Sequence, residues 1–347
     1  MNKIACFGGS FNPPHLGHLK IALSVLKNEK FDEIWFLPTS ETPLKNQNLA
    51  PFEDRVQMIL RLIKPYRKLK VCTIEESLPS PSYTINTVTA LKSLYPHHRF
   101  TWIIGSDQSN QFSSWKEADN LLKLVDFIVV KRHPEDQIRK DMKIIDVPHI
   151  KHISSTSIRE GKLENTAKDV VTYIFENDLY LESIAKSFVS EKRWHHVKQV
   201  EKLALELGEC HHMNVHQITL AALFHDSTKM WPKEKSAAWL GFIHPAYLHQ
   251  PAPIWHQKTA AAYLKRCGLK DKVVLNAIAN HVTGQKGKAL SQLIYIADKC
   301  EPSRNYDVSE ELALAKIDLD KAAQMVSHKQ MEYIQKEKNA SQSTIDR

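Results

Sequence analysis

Near the N-terminus an apolar run, residues 4–7, leads directly into the segment GGSFNPPHLGHL, residues 8–19. This order limits the fold, because glycines let a backbone turn sharply and approach a ligand closely. A helix is expected to begin near Pro14, with His15 and His18 together on its first turn. Free N–H groups and the positive end of the helix dipole form an anion site there. The pattern predicts a strand–turn–helix that binds a nucleoside triphosphate. A plain turn with surface histidines is the alternative.

The chain has 347 residues, enough for two domains that each bury a core. No apolar run approaches 18 residues and no signal-peptide pattern opens the chain, so we expect no membrane partner. The five cysteines are an odd number, widely spaced and without a C-x-x-C pair, which is typical of a reduced cytoplasmic protein. The net charge of +8 favours anionic ligands. The absence of a basic block weighs against a nucleic-acid partner; a homo-oligomer is compatible with all these features.

The first half of the chain alternates short apolar segments with amphipathic ones. This alternation is typical of an α/β fold with a doubly wound, Rossmann-like parallel sheet, whose ligands bind beyond the carboxyl ends of the strands. The glycine turn, the loop after Pro38 and the segment 105–107 should therefore share one edge of the sheet. The predicted strands are residues 4–7, 33–38, 69–74, 100–105, 126–131 and 143–147, and the predicted helices are 16–27, 52–62 and 83–94.

After Tyr180 the strand patterns nearly vanish and helical periodicity takes over. We therefore predict a separate all-α domain, with the boundary near residues 181–190 and the domains at 1–182 and 183–347. The predicted helices of the second domain are residues 193–207, 216–225, 255–267, 271–281, 290–298 and 309–334.

Four further polar clusters accompany the glycine turn in the first half. Small hydroxyl residues at a helix start satisfy its free N–H groups, and an arginine in the first turn would help to bind a polyphosphate. The clusters are Lys45 in TSETPLK, the SYT triplet at 82–84, GSD at 105–107 followed by Trp115, and ISSTSIR at 153–159.

The glycine turn with its paired histidines, together with ISSTSIR, resembles the nucleotidyltransferase superfamily. The segments PSYTINTV and WIIGSDQSNQFSSW are similar to those of bacterial nicotinate-nucleotide adenylyltransferases, and the resemblance covers about residues 1–180. It implies transfer of AMP from ATP to nicotinate mononucleotide, giving deamido-NAD and pyrophosphate. The mononucleotide phosphate is itself the nucleophile, so alignment and charge neutralisation would supply the rate enhancement. The choice between nicotinate and nicotinamide mononucleotide stays open.

The same resemblance implies a role for particular side chains. Mg²⁺ would accompany ATP with few direct protein ligands. The residues implied to act on the ATP phosphates are His15, His18, Lys45 and Arg159, and the rest of the implied ATP site is Gly8, Gly9, Ser10, Phe11, Ser154, Ser155, Thr156 and Ile158. The implied pyridine-nucleotide site is Ser82, Tyr83, Thr84, Gly105, Asp107 and Trp115. A core position for Trp115 and a helix cap for Asp107 are the alternatives.

Histidines of the second half sort by helical phase. The apolar residues at 200, 203, 204 and 207 lie on the same face as His196, whereas His195 faces solvent. Helical phase likewise predicts that His256 and His281 face inward. Apolar runs directly precede the His225-Asp226 pair and Asp298, which indicates that these residues also face the core. A single buried histidine is usually a hydrogen-bonded core residue, but six inward polar groups are costly without a partner. A shared centre of iron, manganese or zinc would satisfy them, with Asp226 as the natural bridge.

The segments RWHHVKQV, ALFHDSTK, WHQKTA, NHVTG and IADKCEPSR resemble the HD superfamily, in the branch that hydrolyses diadenosine tetraphosphate symmetrically to two ADP. The resemblance implies two transition-metal ions, with iron expected first, that activate water and neutralise charge at phosphorus. One ion would be held by His196, His225, Asp226 and Asp298, and the other by His256, His281 and the same Asp226. Catalysis would involve Asp226 and Lys229. The implied phosphate contacts are Lys229, Thr283, Gly284 and Arg304.

Two other interpretations keep the transferase and change the second domain. The helical domain could be a non-catalytic nucleotide sensor, which would hold no tightly bound transition metal. Alternatively it could act on RNA ends or other nucleotides, which the positive net charge permits.

Overall fold

The structure is a computed structural model that describes residues 1–40, 49–131, 139, 141–147, 150, 152–284, 286–304 and 307–345, with the backbone alone at 334 and 336–345. The chain divides into two compact units, Met1–Tyr173 and Ile174–Arg347. The two units meet at residues 173 and 174, which is before residues 181–190, where the sequence predicts the boundary between the functional domains.

The first unit is built on six parallel strands in the order β3-β2-β1-β4-β5-β6. The order reverses beside β1, which is where a doubly wound sheet binds its ligand. Gly9 pairs with Pro38 across β1 and β2, and Phe7 pairs with Ile103 of β4, so the carboxyl ends of these strands meet at one edge as expected. The strands are β1 Lys3–Gly9, β2 Glu33–Pro38, β3 Leu69–Val71, β4 Arg99–Gly105, β5 Asp126–Lys131 and β6 Lys143–Asp146.

Helices cover the sheet of the first unit. Those predicted from the sequence are confirmed, although the third begins at Thr84 rather than Tyr83. The prediction of a strand through residue 74 is wrong, because β3 is an edge strand that pairs only with β2, and Ile74–Ser77 turns into a 3₁₀ helix. The helices are α1 Leu16–Glu29, α2 Phe52–Ile63, α3 Thr84–Leu94, α4 Ser106–Asn110, α5 Ala118–Leu124, α6 Ser155–Arg159 and α7 Lys168–Glu176.

All regular elements among the described residues of the second unit are helices, which confirms the all-α prediction. Its most buried helix is α14, whose residues 290–298 all lie inside the core. The unit also contains a helix that the sequence analysis did not predict, α11. The helices are α8 Leu181–Ser187, α9 Glu191–Cys210, α10 Val215–Phe224, α11 Lys233–Ile243, α12 His256–Cys267, α13 Lys272–Asn280, α14 Ala289–Cys300, α15 Ser309–Ala315 and α16 Leu319–Ile345.

One prediction for this unit is wrong in detail. The single helix expected over 309–334 is two helices, whereas residues 181–187, near the expected domain boundary, form α8. The break occurs because the N–H groups of Ile317 and Asp318 both donate to the carbonyl of Leu314, at 3.0 and 2.8 Å, which closes α15. The Asp318 carboxylate then accepts the N–H of Lys321 at 3.0 Å and so caps the start of α16.

Candidate functional sites

The two histidines of the glycine turn cap the first turn of α1 through each other. The Nδ1 of His15 accepts the backbone N–H of His18 at 3.3 Å, and the Nδ1 of His18 accepts the N–H of His15 at 3.2 Å. The two rings stack with centroids 3.5 Å apart. Because each Nδ1 is an acceptor, a neutral ring carries its proton on Nε2. The pair therefore offers two Nε2–H donors where the sequence predicts phosphate binding.

The floor of this turn is aromatic. Phe11 has a positive φ of 48° and is only 1% exposed, and its ring lies 4.8 Å from that of His18. A Cβ added to Gly9 would lie 3.3 Å from the Phe11 ring, so the turn fits closely over it. Among the residues predicted to bind ATP, Phe11 can therefore offer its backbone but not its side chain.

The segment ISSTSIR brings a second helix start to the first. Ser154 and Ser157 cap α6 reciprocally, at 3.0 and 3.2 Å. Ser155 Oγ donates to the Pro13 carbonyl at 2.8 Å, and the Arg159 guanidinium donates to the Asn12 carbonyl. The starts of α1 and α6 thus lie together. Ile158 lies on the buried face of α6, and Thr156 Oγ1 lies 3.2 Å from Arg159 Nη2. Lys45 falls outside the described residues.

The predicted pyridine-nucleotide residues lie where α3 and α4 begin. Ser82 Oγ accepts the Ser40 N–H at 3.2 Å, and Tyr83 precedes α3. Lys116 Nζ lies 4.6 Å from the centre of the Tyr83 ring. Thr84 is the first residue of α3, Gly105 ends β4, and Asp107 is exposed in the first turn of α4. Trp115 is half-buried and packs against Phe112, with centroids 5.3 Å apart.

In the second unit the proposed ligands converge on Asp226. Its Oδ1 lies 3.1 Å from His256 Nε2 and 3.7 Å from His281 Nε2, while its Oδ2 lies 3.5 Å from His225 Nε2. The Nε2 atoms of His256 and His281 are 3.0 Å apart. The two carboxylate oxygens thus face different histidines, which is the arrangement that a bridging ligand requires.

The remaining ligands, His196 and Asp298, lie beside His225. His196 Nε2 is 3.0 Å from Asp298 Oδ1, and its ring centre lies 5.7 Å from that of His225. Donor atoms of His196, His225 and Asp298 fall within 4.8 Å of one another, as do those of His225, Asp226 and His281. All six predicted ligands are therefore brought into one cluster with two possible centres.

Each imidazole of this cluster is held by its other nitrogen. Nδ1 of His225, His256 and His281 lies 2.6, 2.9 and 2.8 Å from the carbonyl oxygen three residues earlier. Nδ1 of His196 lies 3.1 Å from Glu301 Oε1. If Nδ1 donates in each case, the neutral ring leaves a lone pair on Nε2. The buried Nε2 atoms of His196 and His225 have no well-oriented hydrogen-bond partner among the described residues. Imidazoles and carboxylates so arranged fit a divalent metal.

The protonation of Asp226 and His281 agrees with this fit, whereas the neighbouring aspartates raise the pKa of His225 despite its burial. Burial opposes the charge on Asp226, but the neighbouring His225, His256 and His281 outweigh burial and hold its pKa well below the usual range. Burial lowers the pKa of His281 to about 4, so its ring is neutral near pH 7. A charged carboxylate and a neutral imidazole are the forms that bind metal.

Cationic side chains surround the two aspartates. Arg304 Nη2 lies 3.5 Å from Asp298 Oδ1, and Lys229 Nζ lies 3.3 Å from His256 Nδ1, so both predicted cations reach the cluster. Thr283 is exposed in the turn after α13. Gly284 has a φ of +64°, and a Cβ there would lie 3.1 Å from the Tyr295 ring. The structure thus places Thr283 and Gly284 just beyond His281.

Sequence reasoning missed four polar residues at these sites. Arg193 pairs with Asp226 Oδ2, and its position three residues before His196 on one helix was an available signal. Lys299 Nζ lies 2.7 Å from Asp298 Oδ2. The sequence predicts a role for Asp298 but none for the adjacent Lys299. Glu301 supports His196, and the buried Arg55 of α2 lies beneath the first site. Neither of these two has a local sequence signal, since their partners are distant in sequence.

Comparison with known proteins first defines the class. Residues 6–161 match the cytidylyltransferase-like family and residues 193–303 match the HD domain, so the chain is a two-domain enzyme that joins a nucleotidyltransferase domain to an HD hydrolase domain. The HD domain implies divalent metal binding. In the described part of the chain, no helix has the length and apolar character needed to cross a bilayer.

Relatives then define the family. A Mycoplasma genitalium protein described as a probable nicotinate-nucleotide adenylyltransferase/Ap4A hydrolase is 30% identical, over 92% of this chain and 95% of the relative. A Mycoplasma pneumoniae protein of the same description is 28% identical over 95% and 99%. A probable nicotinate-nucleotide adenylyltransferase of Methylacidiphilum infernorum is 39% identical over 52% of this chain and 92% of its own length. The chain belongs to the family of nicotinate-nucleotide adenylyltransferase/Ap4A hydrolases.

Proposed function

We propose that domain 1–182 transfers AMP from ATP to nicotinate mononucleotide, and that domain 183–347 hydrolyses diadenosine tetraphosphate symmetrically to two ADP. The descriptions of the two Mycoplasma relatives support this pairing of activities. The observation that carries the proposal is one cluster of histidines suited to polyphosphate chemistry in each unit: the stacked His15 and His18 in the first, and the histidines and carboxylates around Asp226 in the second.

In the first domain the substrate's own phosphate attacks the α-phosphorus of ATP and pyrophosphate leaves. The Nε2–H groups of His15 and His18 would donate to phosphate oxygens, and Arg159 and Lys45 would neutralise the triphosphate as charge moves to pyrophosphate. Mg²⁺ would enter with ATP. Neither histidine needs to act as a base, because the mononucleotide phosphate is already ionised near pH 7.

The two substrates are aligned by adjoining segments. The glycine turn 8–11 and the start of α6 would hold ATP, while the SYT segment, Gly105, Asp107 and Trp115 would hold the pyridine nucleotide. The glycine turn follows β1, and Asp107 and Trp115 follow β4, which is the neighbour of β1 in the sheet. Holding both substrates on adjacent strand ends converts a bimolecular reaction into an effectively unimolecular one.

In the second domain the same carboxylate would serve two ions. His196, His225 and Asp298 with Asp226 would hold one ion, and His256 and His281 with Asp226 the other. We propose iron, although manganese and zinc suit the same donors. Two such ions supply an activated water and neutralise charge at phosphorus. Lys229 and Arg304 would bind phosphate oxygens of the substrate, and the turn at Thr283 and Gly284 would lie alongside the chain of phosphates.

Product analysis tests both halves. The protein is incubated with ATP and either nicotinate or nicotinamide mononucleotide, and separately with diadenosine tetraphosphate in ¹⁸O-water, and products are identified by mass. We expect deamido-NAD with pyrophosphate from the first mixture. From the second we expect ADP alone, with one labelled ADP for each unlabelled one.

Other products would contradict particular parts of the proposal. ATP with AMP would contradict symmetrical cleavage. No cleavage, together with no bound transition metal, would favour a nucleotide sensor. Cleavage of RNA oligonucleotides without action on diadenosine tetraphosphate would favour RNA as the substrate.

A further inference from the structure

Helix α2 carries one fully buried cation. Arg55 is 1% exposed, and its guanidinium donates to four backbone carbonyls. Nε donates to Ala50 at 2.9 Å, Nη1 to Ser10 at 3.0 Å and to Thr39 at 2.7 Å, and Nη2 to Ser40 at 3.4 Å. The planar fork of arginine can serve several acceptors at fixed angles, which a lysine ammonium cannot do.

The four carbonyls belong to loops beside the proposed substrate sites. Ser10 lies in the glycine turn after β1, and Thr39 and Ser40 follow β2. The two loops are also joined directly, since the Thr39 N–H donates to the Gly9 carbonyl at 3.0 Å. Arg55 therefore fixes the spacing between the loop that would hold ATP and its neighbour.

The same contacts continue to the SYT segment. The Ser40 N–H donates to Ser82 Oγ at 3.2 Å. The Glu75 side chain, 4% exposed, hydrogen-bonds with Ser82, and its Oε1 accepts the hydroxyl of Thr87 at 2.9 Å. A buried charge is retained only where other groups compensate its lost hydration. The four carbonyl dipoles provide that compensation for Arg55.

We propose that Arg55 is a positioning residue for AMP transfer, which rests on the proposed function of the first domain. Arg55 contacts the glycine turn, residues 8–11, through Ser10, and it reaches the SYT segment, residues 82–84, through Ser40 and Ser82. It thereby holds the segments that would bind ATP and the pyridine nucleotide at the separation that in-line attack needs. Misplacement of reacting groups by about 1 Å can cost about 10²-fold in rate. Loss of the Arg55 guanidinium should therefore weaken binding of both substrates and slow their reaction.

The test compares Arg55→Lys with Arg61→Lys on the same helix. Arg61 contacts Gln57 and stacks on Tyr173, so its variant makes the same chemical change away from the loops. Enzyme concentration is normalised by phosphohydrolase activity, which belongs to the other unit. For Arg55→Lys we expect kcat/KM for AMP transfer to fall about 10²-fold, with KM raised for both ATP and the mononucleotide. We expect Arg61→Lys to resemble the wild type.

A second variant covers the case in which Arg55→Lys does not fold. Thr87→Val keeps the shape of a residue on α3 and removes its donor to Glu75. It should raise KM for the mononucleotide more than KM for ATP. A purely structural role would reduce the yield of folded protein while leaving both KM values unchanged, and that result overturns the proposal. If the wild type transfers no AMP to either mononucleotide, the proposed function fails first and this inference falls with it.

Discussion

At the scale of single residues, histidines are used in two opposite ways. His15 and His18 accept backbone N–H groups through Nδ1, which leaves a proton on Nε2. His225 and His281 instead face carbonyl oxygens through Nδ1, so that a neutral ring donating from Nδ1 leaves a lone pair on Nε2. In the proposed function, the first pair would donate to phosphate and the second would bind metal. The partner of Nδ1 decides the chemistry in each case.

The contact of Glu301 with His196 allows this principle to be tested at the second site. Its Oε1 lies 3.1 Å from His196 Nδ1, and the Glu301 side chain is only 1% exposed. Removing such a partner typically lowers metal affinity about 10–100-fold. We expect Glu301→Ala to lose metal to a chelator at correspondingly lower concentration, measured by metal analysis after dialysis, with AMP transfer unchanged. Glu310→Ala, an exposed change nearby, is the control. Equal metal retention in both variants would show that His196 needs no such support.

At the scale of elements, the first turn of α1 depends on a glycine. A Cβ on Gly17 would lie 2.9 Å from His15 Nδ1, although alanine favours a helix by up to about 1 kcal/mol. We expect Gly17→Ala to displace the His15 ring and to lower AMP transfer about tenfold or more, because one preorganised donor is lost. Hydrolysis should be unaffected.

The matched control for this change is Gly241→Ala in α11, where the added Cβ meets no heavy atom within 4 Å. It should stabilise its helix and leave both activities unchanged. Steady-state rates of the two reactions check both variants, and full AMP transfer by Gly17→Ala would contradict the assignment of His15.

A contact between α7 and α2 should make stability depend on pH. The Tyr173 hydroxyl donates to Asp54 Oδ1 at 2.7 Å, and burial, then this bond, raises the pKa of Tyr173 from 10.0 to about 12. The folded chain keeps the phenol proton across a range in which the unfolded chain loses it. The stabilisation is therefore present below pH 10 and is lost as pH rises towards 12.

Urea unfolding of wild type and Tyr173→Phe across this range measures the effect. The variant should be less stable by about 1–2 kcal/mol below pH 10, with the difference shrinking above it. A difference that is constant up to pH 12 would contradict the assignment.

The bounds of a strand or helix can be predicted closely from the sequence where a local run of apolar residues determines them. Strands at 33–38 and 126–131 have the bounds expected from their apolar runs, because burial in a parallel sheet demands such runs. The break at Asp318 was missed because a short capped turn preserves the apolar period on both sides. Helical phase predicted that His196, His256 and His281 face inward, and the structure brings these three side chains to His225, Asp226 and Asp298, whereas metal binding by them stays a prediction. The partners of Arg55 and Glu301 arise only from folding, so no local pattern could indicate them.

At the scale of the whole molecule, each site is built within one compact unit. The residues around His15 and His18 belong to Met1–Tyr173, and the cluster around Asp226 belongs to Ile174–Arg347. Each unit buries its own apolar core. We therefore expect that a change confined to one site leaves the chemistry of the other intact.

The most direct test of this account assays two variants for both reactions. His18→Ala should lower AMP transfer about 10²–10³-fold while keeping its metal and its hydrolysis of diadenosine tetraphosphate. Asp226→Ala should lose metal and hydrolysis while keeping AMP transfer, because it removes the carboxylate shared by both proposed ions. If either variant, still folded by circular dichroism, loses both activities together, the two sites are not independent and the account is wrong.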